Sequence, residues 1–395
     1  MTTRTRSISG NAHLLGCGLL LFTSAMLSAQ DAPVLVLTSP VNYQVVQRET
    51  AKSGHILFTG RIDVPGAVPA DAVVAVRITG TSVSGALPGT WQKVGVNPGE
   101  KTFSGDLAVP AGGWYKAESH LISGGRTQEG GAVDHVGVGE IFMVIGQSNS
   151  ANYGSTCQTT ATGMVSSFDG TTWVLANDPQ PGAGGGGGSF MPAFGDDLYA
   201  KAKVPIAVVA GGIGATSVRE WLPRGDKVQQ LTTTGGHMKA VGPGEWESTG
   251  EPFDLIVQRC KALGKNGFRA ILWHQGESDA DQARAGYPAD RQITGAQYRT
   301  YMERLIAASR ESAGWKIPWI TAQATFHSEQ DAADEEFRTA QKSLWDAGIS
   351  IQGPDTDALR GSYRSGVHFN ASGLQKHGEL WAECVWAWLV KTKVE

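Results

Sequence analysis

Ser148 lies in the run Gly146-Gln147-Ser148-Asn149-Ser150, directly behind the apolar stretch Ile141-Phe142-Met143-Val144. A chain cannot bury amides and hydroxyls unpaired at the end of a strand, so this run either caps a helix or carries chemistry. Three more polar runs follow apolar stretches or precede a helix. They are Gly211-Gly212-Ile213-Gly214-Ala215-Thr216-Ser217, His274-Gln275-Gly276-Glu277-Ser278-Asp279, and Gly366-Val367-His368-Phe369-Asn370. Taken together they offer a serine, small residues with free N–H groups, an amide side chain and an imidazole. That is the inventory for acyl transfer: a nucleophile, oxyanion donors and a base. A lone serine at a strand end is more often a cap, and a lone histidine among nine is more often a surface or core residue. The conjunction at successive strand ends is what points to a site.

Such groups meet only if the elements behind them form one sheet. From Glu140 onward the sequence alternates apolar strands with amphipathic helices. The strands are "IFMVIG", "PIAVVAGG", "AILWHQG", "PWITAQA" and "ISIQG". Helical segments are expected at 195–203, 253–263, 294–312, 335–346 and 372–391. Continuous apolar strands with helical crossovers predict a parallel sheet covered on both faces, with its site at the carboxyl ends of the strands. Residues 33–138 differ, being rich in Val, Thr, Gly and Pro with short alternating runs such as "HILFTGRI" and "DAVVAVRITG". They read as a small antiparallel β-sandwich ahead of a domain at 139–395. The segment "DPQPGAGGGGGS", Asp178 to Ser189, has no Lys-Ser/Thr to make it a phosphate loop. It reads as a flexible surface loop, or as one draped over a substrate cleft.

The chain has 395 residues, 41% hydrophobic and 18% charged, with a net charge of −4 and no long run of one sign. The length suits about two domains. No electrostatic footprint for nucleic acid or an anionic membrane is visible. Twelve Trp allow some stacking on sugar rings, though a core role serves as well. Arg4 and Arg6 precede the apolar stretch Leu14 to Leu27, and Leu27-Ser28-Ala29 gives a small-residue cleavage pattern. Residues 1–29 therefore read as a secretory signal peptide, shorter than the ~20 apolar residues of a span. Leu14-Leu15-Gly16-Cys17 has a faint lipobox look, but the apolar run lies mostly behind the Cys. An exported chain without a membrane span is expected. Cys157, Cys260 and Cys384 then remain, enough for one disulfide at most and without metal-ligand spacing.

"GQSNS", the Gly-rich turn followed by Glu220-Trp221, "WHQGESD" and the C-terminal "VHF" resemble the SGNH/GDSL hydrolase superfamily. More narrowly they are similar to the sialate O-acetylesterase and carbohydrate esterase family 6 group. The resemblance spans Gly139 to about Trp388 and implies a three-layer α/β/α domain with a parallel sheet. By position it implies Ser148 as nucleophile and His368 as base. The oxyanion donors would be the N–H of Ser148, that of Gly214 or Ala215, and the side-chain amide of Gln275. An acetylated carbohydrate is the implied substrate, and no metal or organic cofactor is required.

One position departs from the pattern. The family places an Asp three residues before the histidine, where this chain has Ser365. A hydroxyl can accept the ring N–H but brings no charge to stabilise an imidazolium, and losing that carboxylate costs serine proteases up to about 10⁴ in turnover. Asp357, Glu277 and Asp279 are the other side-chain candidates for orienting His368, and a backbone carbonyl is the alternative to them. The reading is an exported carbohydrate acetylesterase. The alternatives are a binding protein on a decayed hydrolase fold, motivated by Ser365, and a lipid esterase, for which no broad apolar lid is visible.

Overall fold

The computed structural model describes residues 34–231, 236–282 and 291–392. The expected signal peptide, 1–29, lies outside the described residues. The first part is antiparallel, in the strand order Val34–Ser39, Ser53–Asp63, Thr102–Pro110, Gln92–Asn97, Val73–Thr79, Gly112–Ser123, Arg126–Gly146. Ser53–Asp63 alternates buried and exposed residues along its whole length, as a half-solvated strand should. Its inward side chains, Ile56, Phe58 and Ile62, pack with Val76, Leu107, Val136 and Phe103 in two apolar clusters. This is the expected sandwich.

The strand Arg126–Gly146 then continues into a second sheet without a break, through the boundary expected at 138/139. Val136–Gly139 pairs with Gln44–Gln47, Glu140–Val144 pairs in parallel with Ile206–Ala210, and Phe142–Gly146 with Ala270–His274. Trp319–Gln323 and Ile351–Asp355 extend the sheet on one side and Val165–Phe168 on the other, all parallel. Trp173–Leu175 adds an antiparallel edge. Val165–Phe168 and Trp173–Leu175 were not foreseen. They are short and flanked by Gly and Thr, so they lack the long apolar run that marked the others.

Both faces of this sheet are buried, which explains the unbroken apolar strands. Met143 and Ile145 face helices Glu251–Leu263, Gly295–Ala313 and Glu335–Asp346 through Ile256, Met302 and Phe337. Phe142 and Val144 face Met191–Ala202 and Ala371–Lys391 through Phe194 and Trp381. Thr294, with Gln297 in a capping box, and Asp334 close the starts of two of these helices. Trp221, Trp273, Trp319 and Trp381 are fully buried, and no Trp is among the exposed large hydrophobic residues. These four fill the core, and the other eight of the twelve Trp are half-buried. Cys157, Cys260 and Cys384 are free thiols.

The strand ending at Gly146 has Ile206–Ala210 on one side and Ala270–His274 on the other. The chain thus leaves it in one direction and later returns in the other. That is the topological switch point of an open α/β sheet, where ligands bind.

Candidate active site

Ser148 stands at this switch point. Gly146 has φ of +132°, and a Cβ there would overlap the His274 carbonyl oxygen, so only glycine lets the chain turn. Gln147 N–H donates to that carbonyl at 3.0 Å, and a 3₁₀ turn, Ser148–Ser150, begins at once. Gln147 Oε1 accepts from Ser278 N–H at 3.0 Å and from Gln275 Nε2 at 3.3 Å. Gln147 thus ties the serine turn to the next strand's loop. Ser148 is nearly covered, with 8% of its surface exposed.

His368 arrives from the far end of the chain. Arg364–Ser365 and His368–Phe369 form a two-residue hairpin in which Ser365 is the cross-strand partner of His368. Gly366 takes φ of +65°, the left-handed position such turns demand. Asn370 caps the last helix by accepting from Gly373 N–H at 3.0 Å, which fixes the hairpin's exit. The His368 ring stacks on Tyr153 at 5.6 Å between centroids. Ser148 and His368 line one cavity of about 350 Å³ with Asn149, Gly214, Ala215 and Glu277. No hydrogen bond joins Ser148 Oγ to the imidazole, a spacing that catalytic pairs often show without substrate.

Gly214 and Ala215 occupy a turn whose backbone N–H groups have no acceptor among the described residues. Ala215 has φ of +58°, a left-handed conformation that costs a non-glycine residue about 1 kcal/mol or more and is held at functional sites by its surroundings. As the first residue of a helical turn, Ser148 has an N–H with no partner inside that turn.

Gln275 is placed differently from its expected role. Its Nε2 is taken up by Asp279 Oδ2 at 2.8 Å, the Thr216 carbonyl at 3.0 Å and Gln147 Oε1, and the side chain does not line the cavity. The cause is Asp279, a fully buried carboxylate that gathers donors from Ser217 Oγ at 2.5 Å, Val218 N–H at 2.8 Å and Gln275. The amide residues that do line the cavity are Gln147 and Asn149, and Asn149 Nδ2 donates to Glu277 Oε1 at 3.0 Å and to the Val367 carbonyl at 3.2 Å.

None of the four candidates for orienting His368 hydrogen-bonds its ring. Ser365 is exposed, and it is a backbone partner only. Asp357 accepts from Thr325 N–H at 2.8 Å, Phe326 N–H at 2.9 Å and Arg338 Nη1 at 2.8 Å. Asp279 serves the network around Ser217. Glu277 faces Asn149 on one side and His274 on the other. Among the described residues, no hydrogen bond reaches the His368 imidazole.

Burial dominates the electrostatics. It pushes the Glu277 carboxyl up to about 7 and the His274 imidazole down to about 3. Their 3.5 Å contact is therefore not an ion pair at neutral pH, since both environments favour the uncharged forms. His368 is lowered by burial and, secondarily, by the charge of Arg364. Sequence reading missed Asn149's bridging bonds, Tyr153 and Arg364. The first two lie in the quoted polar run and its continuation, while Arg364 gave no signal.

The Asp178–Ser189 loop packs as a buttress rather than a cover. Gly188 exchanges hydrogen bonds with Gly154 at 2.8 and 2.9 Å, and Asn152 Nδ2 donates to the Gln180 carbonyl at 2.9 Å. It thereby supports both neighbours of Tyr153. A Cβ on Gly188 would overlap the Thr156 carbonyl oxygen, which accounts for glycine at this approach. The loop does not line the cavity.

Residues 138–387 match the family model described as carbohydrate esterase, sialic acid-specific acetylesterase. Among solved structures, the chain is similar to a carbohydrate acetylesterase from Xanthomonas citri at 17% identity and a TM-score of 0.50. That match covers 91% of this chain and 75% of the other. A protein from Arabidopsis thaliana matches at 20% identity and a TM-score of 0.45, over 63% of this chain and 97% of the other. Among curated proteins, none matches the chain.

Proposed function

The chain belongs to the carbohydrate esterase family of sialic acid-specific acetylesterases, and from that membership we propose that it removes O-acetyl groups from a glycan by serine catalysis. The observation that carries the proposal is the convergence of Ser148, His368 and the Gly214–Ala215 turn on one small cavity at the switch point. His368 takes the proton of Ser148 Oγ as that oxygen attacks the acetyl carbonyl. The carbonyl oxygen becomes an oxyanion held by the N–H groups of Ser148 and of Gly214 or Ala215. Collapse breaks the ester C–O bond, and His368 returns the proton to the departing sugar hydroxyl. Water, deprotonated by His368, then hydrolyses the acetyl-serine and restores the site.

A cavity of about 350 Å³ suits an acetyl group and part of a sugar better than a long acyl chain. Export after cleavage near residue 29 completes the proposal and would bring the enzyme to polymeric substrates. No helix among the described residues is long and apolar enough to cross a membrane. A glycan-binding role without catalysis is the second reading, favoured by the missing hydrogen bond at the His368 ring. Acetate release from acetylated xylan, pectin and O-acetyl sialic acids decides between them. Turnover of any one supports the esterase. Binding without acetate release on all of them supports the second reading.

A further inference from the structure

Arg364 makes three hydrogen bonds, all to backbone carbonyls and none to a carboxylate. Nε donates to Leu359 at 2.7 Å, Nη1 to Val367 at 2.9 Å and Nη2 to Thr356 at 2.9 Å. Its guanidinium lies over the rings of Phe326, at 4.1 Å, and Phe369, at 3.8 Å. A planar cation held between two aromatic faces with its donors fixed has little freedom left. The segment it gathers, 356–369, is the one that carries His368. The Val367 carbonyl, one peptide before His368, is held twice: by Arg364 Nη1 and, from the serine turn, by Asn149 Nδ2 at 3.2 Å.

We propose that Arg364 is the positioning residue for His368, fixing the imidazole through the Val367 carbonyl that it shares with Asn149. In Ser-His-Asp sites a carboxylate does this on the ring itself and also stabilises the imidazolium. Here orientation is supplied through the backbone, and the nearby charge has the opposite sign. The base is consequently weaker than a carboxylate-backed histidine, and it stays unprotonated, ready to accept, at lower pH. The groups facing His368 are Tyr153 from the serine loop, Glu277 from the third strand's loop, His327 from beyond Trp319–Gln323, and Arg364 itself. Of these, Glu277 is the one that gains negative charge through neutrality, and it acts on Arg364 as well.

The inference rests on His368 being the base of the proposed esterase, so its test carries a readout that needs no turnover. Arg364→Met keeps an apolar side chain between the two phenyl rings but removes the charge and all three donors. Its kcat on a small acetyl ester should fall roughly 10²-fold with KM little changed, as expected when a reacting group is misplaced. The acid limb of its pH–rate profile should move to higher pH. Arg364→Lys, which keeps the charge alone, should lose kcat yet leave the limb in place. NMR titration of the His368 ring in Ser148→Ala backgrounds should show the same order of values in proteins that cannot turn over. In the unsubstituted chain His368 should titrate below the usual ~6.5.

Loss of kcat with an unmoved limb in Arg364→Met would make Arg364 merely structural and overturn the proposal. So would unchanged or raised kcat in a folded Arg364→Met protein. If neither variant folds, Arg364→Gln, which keeps donors without the charge, takes their place: a His368 titration in its Ser148→Ala background that stays at the parent's value overturns the proposal, and a raised one supports it. Retained activity in Ser148→Ala would instead overturn the esterase site, leaving the His368 titrations to judge Arg364 separately.

Discussion

His274 Nδ1 lies 3.5 Å from Glu277 Oε1, and burial favours the uncharged form of both groups. Thr356 Oγ1 donates to the Gln323 carbonyl at 2.9 Å, so it must accept from His274 Nε2–H, also at 2.9 Å. Nδ1 is then a bare lone pair facing Glu277, and it has no other partner. A protonated carboxyl is tolerated there, while a carboxylate would repel the lone pair.

Stability should therefore fall as Glu277 ionises. Its folded value, about 7, is above the usual 4.5 of a free glutamate, so the folded state holds the proton more tightly. The stabilisation is complete below pH 4.5 and is lost as pH rises through about 7. Glu277→Gln cannot ionise and should escape that loss. Its stability relative to the parent should rise between pH 5 and pH 8, by on the order of 2 kcal/mol. Denaturant unfolding of both proteins across that range checks this, and parallel curves would refute it.

Ser148→Ala and His368→Ala should each remove nearly all acetyl-ester hydrolysis while leaving the fold intact. The two act as one unit, so the double variant should be barely slower than either single one. Steady-state rates of the three proteins decide the matter. Substantial activity in Ser148→Ala would mean that another group is the nucleophile.

Gln275→Ala separates the position implied by resemblance from the one observed. An oxyanion donor removed costs roughly 10²–10³ in turnover at unchanged stability. In the observed arrangement the substitution leaves buried Asp279 short of a donor. That should cost about 1–3 kcal/mol of stability and less than 10-fold in kcat of the folded fraction. Thermal melts measured beside kinetics distinguish the two outcomes.

Ser365→Asp should raise turnover about 10-fold or more, because a carboxylate opposite His368 can hold the ring and stabilise its charged form. The added negative charge favours protonated imidazole, so the acid limb should shift to higher pH. A pH–rate profile of the variant that overlays the parent's would show that the residue 365 side chain does not reach His368.

The architecture was legible because burial wrote it into the composition. Strands covered on both faces must be apolar throughout, and helices between them must be amphipathic, so Ile206–Ala210, Ala270–His274 and Glu335–Asp346 announced themselves. Ser148, Gly214 and His368 stood in polar runs at strand ends or before the last helix, and the resemblance singled them out. Gln275 misled because sequence cannot show which neighbour claims an amide, and the buried Asp279 four residues on made the stronger claim. Arg364 was invisible for a related reason. Its partners are carbonyls and ring faces, which leave no mark of residue type.

The strand that passes from one sheet into the other has a mechanical meaning. Val136 is paired in the sandwich and Gly146 ends beside the serine, ten residue steps away, or roughly 33 Å of extended chain. Within that strand, Glu140 is clamped by Arg48 at 2.6 Å and Arg269 at 2.7 Å, one from each half of the molecule. The two sheets share one strand and one buried ion cluster, so the backbone that closes the sandwich is the same one that delivers the serine turn.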